Sequence, residues 1–275
     1  MRKKIKFFIR ILCAFLKRDF LLNSSYRTAF FFDLAGIFFS TITFFFVAKL
    51  FGQMANPFLA AYGGDYFAFV IIGLAFSGYL STAMSTFMAS IREEQTTGTI
   101  ENILLTPINI SILAIAGSVW NFLFTSFRIF IYLLIGWLMF GLNLNKVNYL
   151  SCCVILTLTI LSFGTLGIIS ASFILVFKKG DPISSLFSSL SRFLGGVYFP
   201  ITILPLWFQK LALFLPITYS LRAIRMAVLQ GSGVFLLWKD ILMLCVFTVV
   251  LLPVGIFSFK FAIQKAKKQG SLLHY

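Results

Sequence analysis

The sequence predicts an all-α integral membrane protein. It has six transmembrane helices, an amphipathic interfacial helix at the N-terminal end, and an outer re-entrant pair of short helices between spans five and six. Three observations carry this prediction. Of 275 residues, 60% are hydrophobic and only 11% charged, and the mean hydropathy is +0.98. A soluble fold of that size could not screen so much apolar side chain with so little charge. The apolar residues are also gathered into runs near or above the roughly 20 residues that a bilayer core requires. Finally, the +15 net charge is concentrated at the ends. Arg2, Lys3, Lys4, Lys6, Arg10, Lys17, Arg18 and Arg27 precede the first long run, and Lys260, Lys265, Lys267 and Lys268 follow the last. Basic residues flanking apolar runs mark a cytoplasmic membrane surface, and no basic domain is left over for nucleic acid.

The first element, within 1–28, is the interfacial helix. At about 100° per residue, Ile5, Phe8, Ile9, Leu12, Phe15 and Leu16 fall on one side and Lys3, Lys6, Arg10 and Lys17 on the other. Arg10, Lys17 and Arg18 interrupt the stretch before it could serve as the apolar region of a cleavable signal peptide. The six spans follow at about 29–51, 66–91, 112–140, 149–177, 183–199 and 241–259. Asp65, Asn143, Asn145 and Lys146 lie in weakly basic connections, whereas Arg92, Lys178 and Lys179 lie in the alternate ones. That asymmetry places both termini in the cytoplasm. The stretch 200–231 is apolar but broken by Pro200, Pro205 and Pro216 and carries Lys210, Arg222 and Arg225. A seventh span there would put the C-terminal lysines outside, so it reads as the re-entrant pair. No repeat or linker divides the chain, and 1–275 reads as a single membrane domain.

Composition removes most enzymology. The one histidine is His274, so histidine acid/base catalysis and His-metal sites have almost no donors. No G-x-x-x-x-G-K-[ST] occurs, which leaves the chain without a loop to cradle ATP phosphates. Work on ATP, with its Mg, then belongs to a partner, and this chain needs no cofactor of its own. Cys13, Cys152, Cys153 and Cys245 lack ligand spacing and read as small hydrophobes.

The most informative polar segment, 92–110, joins the second and third spans on the cytoplasmic side. Glu93, Glu94 and Glu101 are three of the eight acids in the chain. Gly98 can turn the backbone, Thr99 can cap a helix, and Glu101 then sits in the first turn, where the helix dipole favours an anion. Pro107 closes the element after about two turns. Ile100, Ile103 and Leu104 share one face, so the segment is either a solvated loop or a short helix that docks into a groove on a soluble partner.

The run Glu94 to Pro107 resembles the E-R-E-x-G-T-[LI]-E-x-L-L-x-T-P signature of membrane subunits of type-2 ATP-binding cassette exporters. A second block resembles the outer-face region of the same family: Gly196-Val197-Tyr198-Phe199-Pro200, Leu204-Pro205-Leu206-Trp207, and Pro216-Ile217-Thr218-Tyr219 with Arg225. Gln95 and Thr96 stand where the family commonly has Arg and Glu, so this chain lacks the groups for a charge pair at those two positions. The resemblance implies a permease in a bacterial cytoplasmic membrane. Two such subunits, identical or paralogous, would form a path through the lipid bilayer over a pair of ATP-binding cassette ATPases, with the segment around Thr99 to Leu105 transmitting the stroke.

Intramembrane charge supplies the remaining candidates. Arg128 lies near the middle of the third span and Arg192 within the fifth. An arginine at a helix centre costs about 2.5–3.5 kcal/mol to insert, so each should face protein, water or a counter-charge. Asp33, in the first span, is the acid placed to help. Pathway lining and structural pairing both suit Arg128, and Arg192 can also snorkel towards headgroups. Arg222 and Arg225 share a helix face on the outer segment, suited to anionic headgroups or to an acidic substrate leaving a pore, with Tyr198, Pro200 and Tyr219 in the same region. Two functions compete: an exporter permease for an amphiphilic, lipid-like, drug-like or polysaccharide cargo, and a membrane anchor that recruits a soluble partner through 92–110 without transporting anything.

Overall fold

The computed structural model describes residues 2–97, 110–177 and 181–268. Its described residues are helical, with no strand. The long helices are α1 (Arg2–Ser25), α2 (Arg27–Ala55), α3 (Tyr66–Thr96), α4 (Ile110–Phe140) and α5 (Tyr149–Phe177). After them come α6 (Asp181–Leu194), α7 (Leu206–Ala212), α8 (Pro216–Leu229) and α9 (Trp238–Lys268).

Helix α3 is the axis of the bundle. Among the candidate spans it is the most enclosed, and α2, α4, α5, α6 and α8 all pack on it. Its start is set locally: the backbone turns through Gly63 and Gly64 at φ 91° and 76°, and the Asp65 carboxylate then accepts from the Phe67 amide at 2.9 Å. Within the bundle there is little hydrophobic drive between helices, so contact depends on close backbone approach and buried hydroxyl pairs. Gly167 supplies the approach of α5 to α3, where a Cβ would run into the Ala83 carbonyl. Hydroxyl pairs stitch α3 to α4 through Tyr79–Ser126 and Thr82–Thr125, each 2.7 Å apart, while Asn121 donates to Thr86.

Ladder contacts fix the direction of each helix. Ser162 reaches the Leu244 carbonyl and Thr248, and ten residues on Ser172 meets Ser258, so α5 and α9 run parallel. The Asn148 amide donates to the Ala227 carbonyl, which brings the end of α8 beside the start of α5. A single return path, 178–237, must therefore carry the chain from one end of the bundle back to the other.

That return path corrects the expected fifth span. Residues 183–199 do not form a bilayer-length helix; α6 has 14 residues and rises about 21 Å, against a hydrocarbon core of about 30 Å. Its stop is the pair Gly195-Gly196, with Gly196 at φ 78°. Among the described residues five helices, α2, α3, α4, α5 and α9, are long and apolar enough to cross a membrane, and a sixth is counted only if the bent pair α7–α8 is taken as one span. The two helices of that pair meet at 87°. Leu206, Gln209 and Lys210 of α7 share a cavity with Phe58, Ala61 and Tyr62, which belong to the end of the bundle where α8 also finishes. The pair thus enters and leaves at the same end, as a re-entrant element does, and α6 with the irregular 195–200 stretch makes the remaining traverse.

Pro253 sits inside α9 without ending it. Pro is tolerated in membrane helices because neighbours re-satisfy the freed backbone groups. Helix α1 is continuous and packs on α4, consistent with the periodicity of its sequence, and the chain breaks at Tyr26 before α2.

Candidate functional site

The irregular backbone after α6 places the Gly196 and Val197 carbonyls outside any helix, and Arg225 donates to both as well as to one carbonyl of α3. From α8 its Nε donates to the Phe69 carbonyl at 3.0 Å, Nη1 to Gly196 at 2.8 Å and Nη2 to Val197 at 3.0 Å. The guanidinium lies 3.4 Å from the centroid of the Phe69 ring, and the residue is only 2% exposed. Five donors in a rigid fork suit this task in a way that an ammonium does not. The sequence reading had Arg225 facing anionic headgroups or a departing acidic substrate; its donors are instead committed to the carbonyls of Phe69, Gly196 and Val197.

Arg222, one turn earlier, is also engaged. Its Nε donates to an Asp240 oxygen at 2.8 Å, and Nη2 reaches the same oxygen. Asp240 is buried in the first turn of α9, where the helix dipole adds to its stability as an anion. The expected shared face of Arg222 and Arg225 is therefore not a free anion receptor. These two arginines, with Tyr62, Gln209, Lys210 and Thr218, border a cavity of about 390 Å³. Burial holds the Tyr62 phenol above its ordinary range, with Arg225 and Arg222 opposing that rise. Tyr198 stacks on Phe44 at 6.0 Å, Pro200 is buried at the turn, and the Tyr219 hydroxyl donates to the Leu213 carbonyl. These three help to build this end of the bundle.

A second polar feature lies between α3 and α6. Ser81 and Ser85 on one side face Ser184, Ser185 and Ser188 on the other, with Met84 and Arg192 completing an open cleft of about 360 Å³. Sequence spacing creates it: serines at i and i+4 on both helices project from one stripe. The opposite face of α6 carries Leu186, Leu190 and Phe193, all exposed. Arg192 lies at the upper edge of the cleft, its Nη2 3.4 Å from Ser189 Oγ. Its Nε and the Ser191 hydroxyl are buried without a hydrogen-bond partner among the described residues. Sequence reasoning isolated Arg192 but passed over the serines, whose four-residue spacing in two segments was the available signal.

Arg128 has the counter-charge that the sequence suggested. Its Nη2 is 2.7 Å from Asp33 Oδ1, which links α4 to α2, and both side chains remain about two-fifths exposed. Of the expected coupling residues, Glu93 ends α3 exposed, and its carbonyl accepts from the amide and hydroxyl of Thr97. Gly98, Thr99, Ile100, Glu101, Ile103 and Leu104 lie outside the described residues, as does the side chain of Glu94.

No curated protein matches the chain. The profile of the ABC-2 type transporter family, however, matches residues 10–229, which run from within α1 to the end of α8 and leave α9 outside the matched stretch. That match covers well over half of the chain and agrees with an all-helical membrane bundle. Several apolar crossings with polar cavities between them agree with that match, and the chain belongs to the ABC-2 type transporter family as a membrane permease subunit.

Proposed function

We propose that this permease is half of the membrane path of an ATP-driven exporter, and that it moves an amphiphilic, lipid-like, drug-like or polysaccharide cargo out of the cytoplasm or inner leaflet by alternating access. Two copies, or one copy with a paralogue, stand over a pair of cassette ATPases that bind ATP and Mg; the chain itself takes no cofactor. The complex resides in a bacterial cytoplasmic membrane with both permease termini on the ATPase side. The segment 92–110 docks on the ATPase through Ile100, Ile103 and Leu104, with Glu93, Glu94 and Glu101 around the rim and Gly98 and Thr99 shaping the turn.

The observation that supports this reading is the hydroxyl-lined cleft between α3 and α6. Five serines and an arginine on the flank of an otherwise apolar bundle are costly against lipid tails, so the cleft faces water, a polar part of the cargo, or the same stripe on a second copy. Each of those belongs to a transport path. A mere anchor has no need of it.

The test is transport. The chain is co-purified with its ATPase and reconstituted, and efflux is followed with Ser85→Cys or Ser188→Cys labelled by a thiol reagent. ATP-dependent movement that labelling blocks supports the path. Full ATPase recruitment with no movement of any cargo class assigns the chain to anchoring.

A further inference from the structure

A groove remains on the flank of the bundle that none of this uses. It lies where the end of α1, the start of α2 and the first half of α4 converge, has a volume of about 450 Å³, and stays open along one side. Its walls are aromatic and connected. Phe20 meets Trp120 edge-on at 5.8 Å, Trp120 stacks on Phe124 at 6.4 Å, and Phe127 stacks on Phe30 at 6.1 Å. Phe20, Leu123, Phe127 and Phe30 are exposed, so nothing among the described residues covers the slot. At its rim stands Arg27, the first residue of α2, exposed and without a hydrogen bond or ion pair among the described residues.

The charge at that rim is uncompensated. The two carboxylates carried by α1 and α2 are both engaged, Asp19 with Arg18 and Asp33 with Arg128. Exposed Lys17, one turn before Phe20 on α1, adds further positive charge near the same end. The other polar groups of the groove are turned inward: the Asn23 amide donates to the Asp19 carbonyl and the Ser24 hydroxyl to the Phe20 carbonyl. One cation above a long apolar aromatic slot matches one class of ligand in a membrane, a molecule with an anionic head and a hydrocarbon tail.

We infer that the α1–α2–α4 groove is a binding site for an anionic phospholipid, with an acyl chain against Phe20, Trp120, Leu123 and Phe127 and the phosphate on the Arg27 guanidinium. The lipid joins the basic helix α1 to the crossing helices, tying the position of α1 to the composition of the surrounding leaflet. This site rests on the chain being embedded in a membrane and is independent of what the permease carries or in which direction.

Trp120 is a built-in reporter. The full chain with Trp137→Phe, Trp207→Phe and Trp238→Phe retains it as the single indole, and is reconstituted into phosphatidylcholine vesicles. Either phosphatidylglycerol or phosphatidylcholine then carries brominated acyl chains at the same minor mole fraction. Brominated phosphatidylglycerol should quench Trp120 about fivefold more effectively than brominated phosphatidylcholine, the preference expected of one arginine for an anionic lipid. Arg27→Gln should bring the two to parity, and Arg27→Lys should keep the preference. Parity with Arg27 intact means an ordinary lipid annulus and overturns the inference. So does a Trp120 that neither lipid quenches, because protein, such as a second copy, then covers the groove. A preference that survives Arg27→Gln overturns it too.

Discussion

Gly73 of α3 and Arg225 of α8 occupy one another's space: a Cβ on residue 73 would collide with Nη2 of Arg225 and with the Val197 carbonyl that Nη2 serves. The absence of a side chain at position 73 is what lets the guanidinium slide between α3 and the irregular backbone after α6. One glycine and one arginine therefore make the short fifth traverse possible, since irregular backbone at membrane depth survives only when protein satisfies it.

Gly73→Ala should destabilise the chain by about 1–3 kcal/mol through overpacking. Arg225→Leu should leave at least one buried carbonyl unsatisfied, at a cost of about 1–3 kcal/mol. Arg225→Lys should fall between Arg225→Leu and the unchanged chain, because an ammonium cannot reproduce the three-way fork. Thermal unfolding of the detergent-solubilised chain checks all three. Unchanged stability in Arg225→Leu would show that these carbonyls find other partners.

The Asp33–Arg128 pair should behave as a unit. Asp33→Ala leaves a guanidinium facing apolar surroundings, and Arg128→Leu strands a carboxylate, so each alone should lower the yield of folded chain. The double variant should recover most of that loss, with a coupling above about 0.5 kcal/mol. Additive losses would mean that the two groups act separately.

Topology is open to direct labelling. With Cys13, Cys152, Cys153 and Cys245 replaced, a single cysteine at position 2 or at position 268 should resist a membrane-impermeant thiol reagent in intact cells and react after permeabilisation. Reaction of either in intact cells would falsify an even number of crossings with both termini inside.

The proposed coupling segment yields a graded series. Apolar burial contributes about 1.5–3 kcal/mol per side chain, against no more than about 1 for an exposed ion pair. Leu104→Asp should then dissociate the ATPase or uncouple its turnover from transport. Glu94→Gln should be mild, and Glu101→Lys intermediate because it also opposes a helix dipole. Co-purification, ATPase and transport assays rank the three. Wild-type behaviour of Leu104→Asp in every assay removes the segment from the mechanism.

What the sequence determined by itself was whatever rests on local composition. Runs of apolar residues placed α2, α3, α4, α5 and α9, because a bilayer demands length and hydropathy that can be counted along a chain. Scarcity of acid within the apolar runs made Asp33 the natural partner of Arg128. The same counting failed at 183–199, where the run is apolar enough but the glycine pair ends the helix early. Tertiary structure alone decided what Arg225 does, since its acceptor Phe69 is 156 residues away and no local pattern signals a carbonyl. It also decided that Asp240 would neutralise Arg222, that two serine stripes would meet, and that three helices would leave an aromatic slot beneath Arg27. Hydropathy is a property of a segment, whereas hydrogen bonds, ion pairs and grooves belong to pairs of segments, and only the packed bundle states which segments meet.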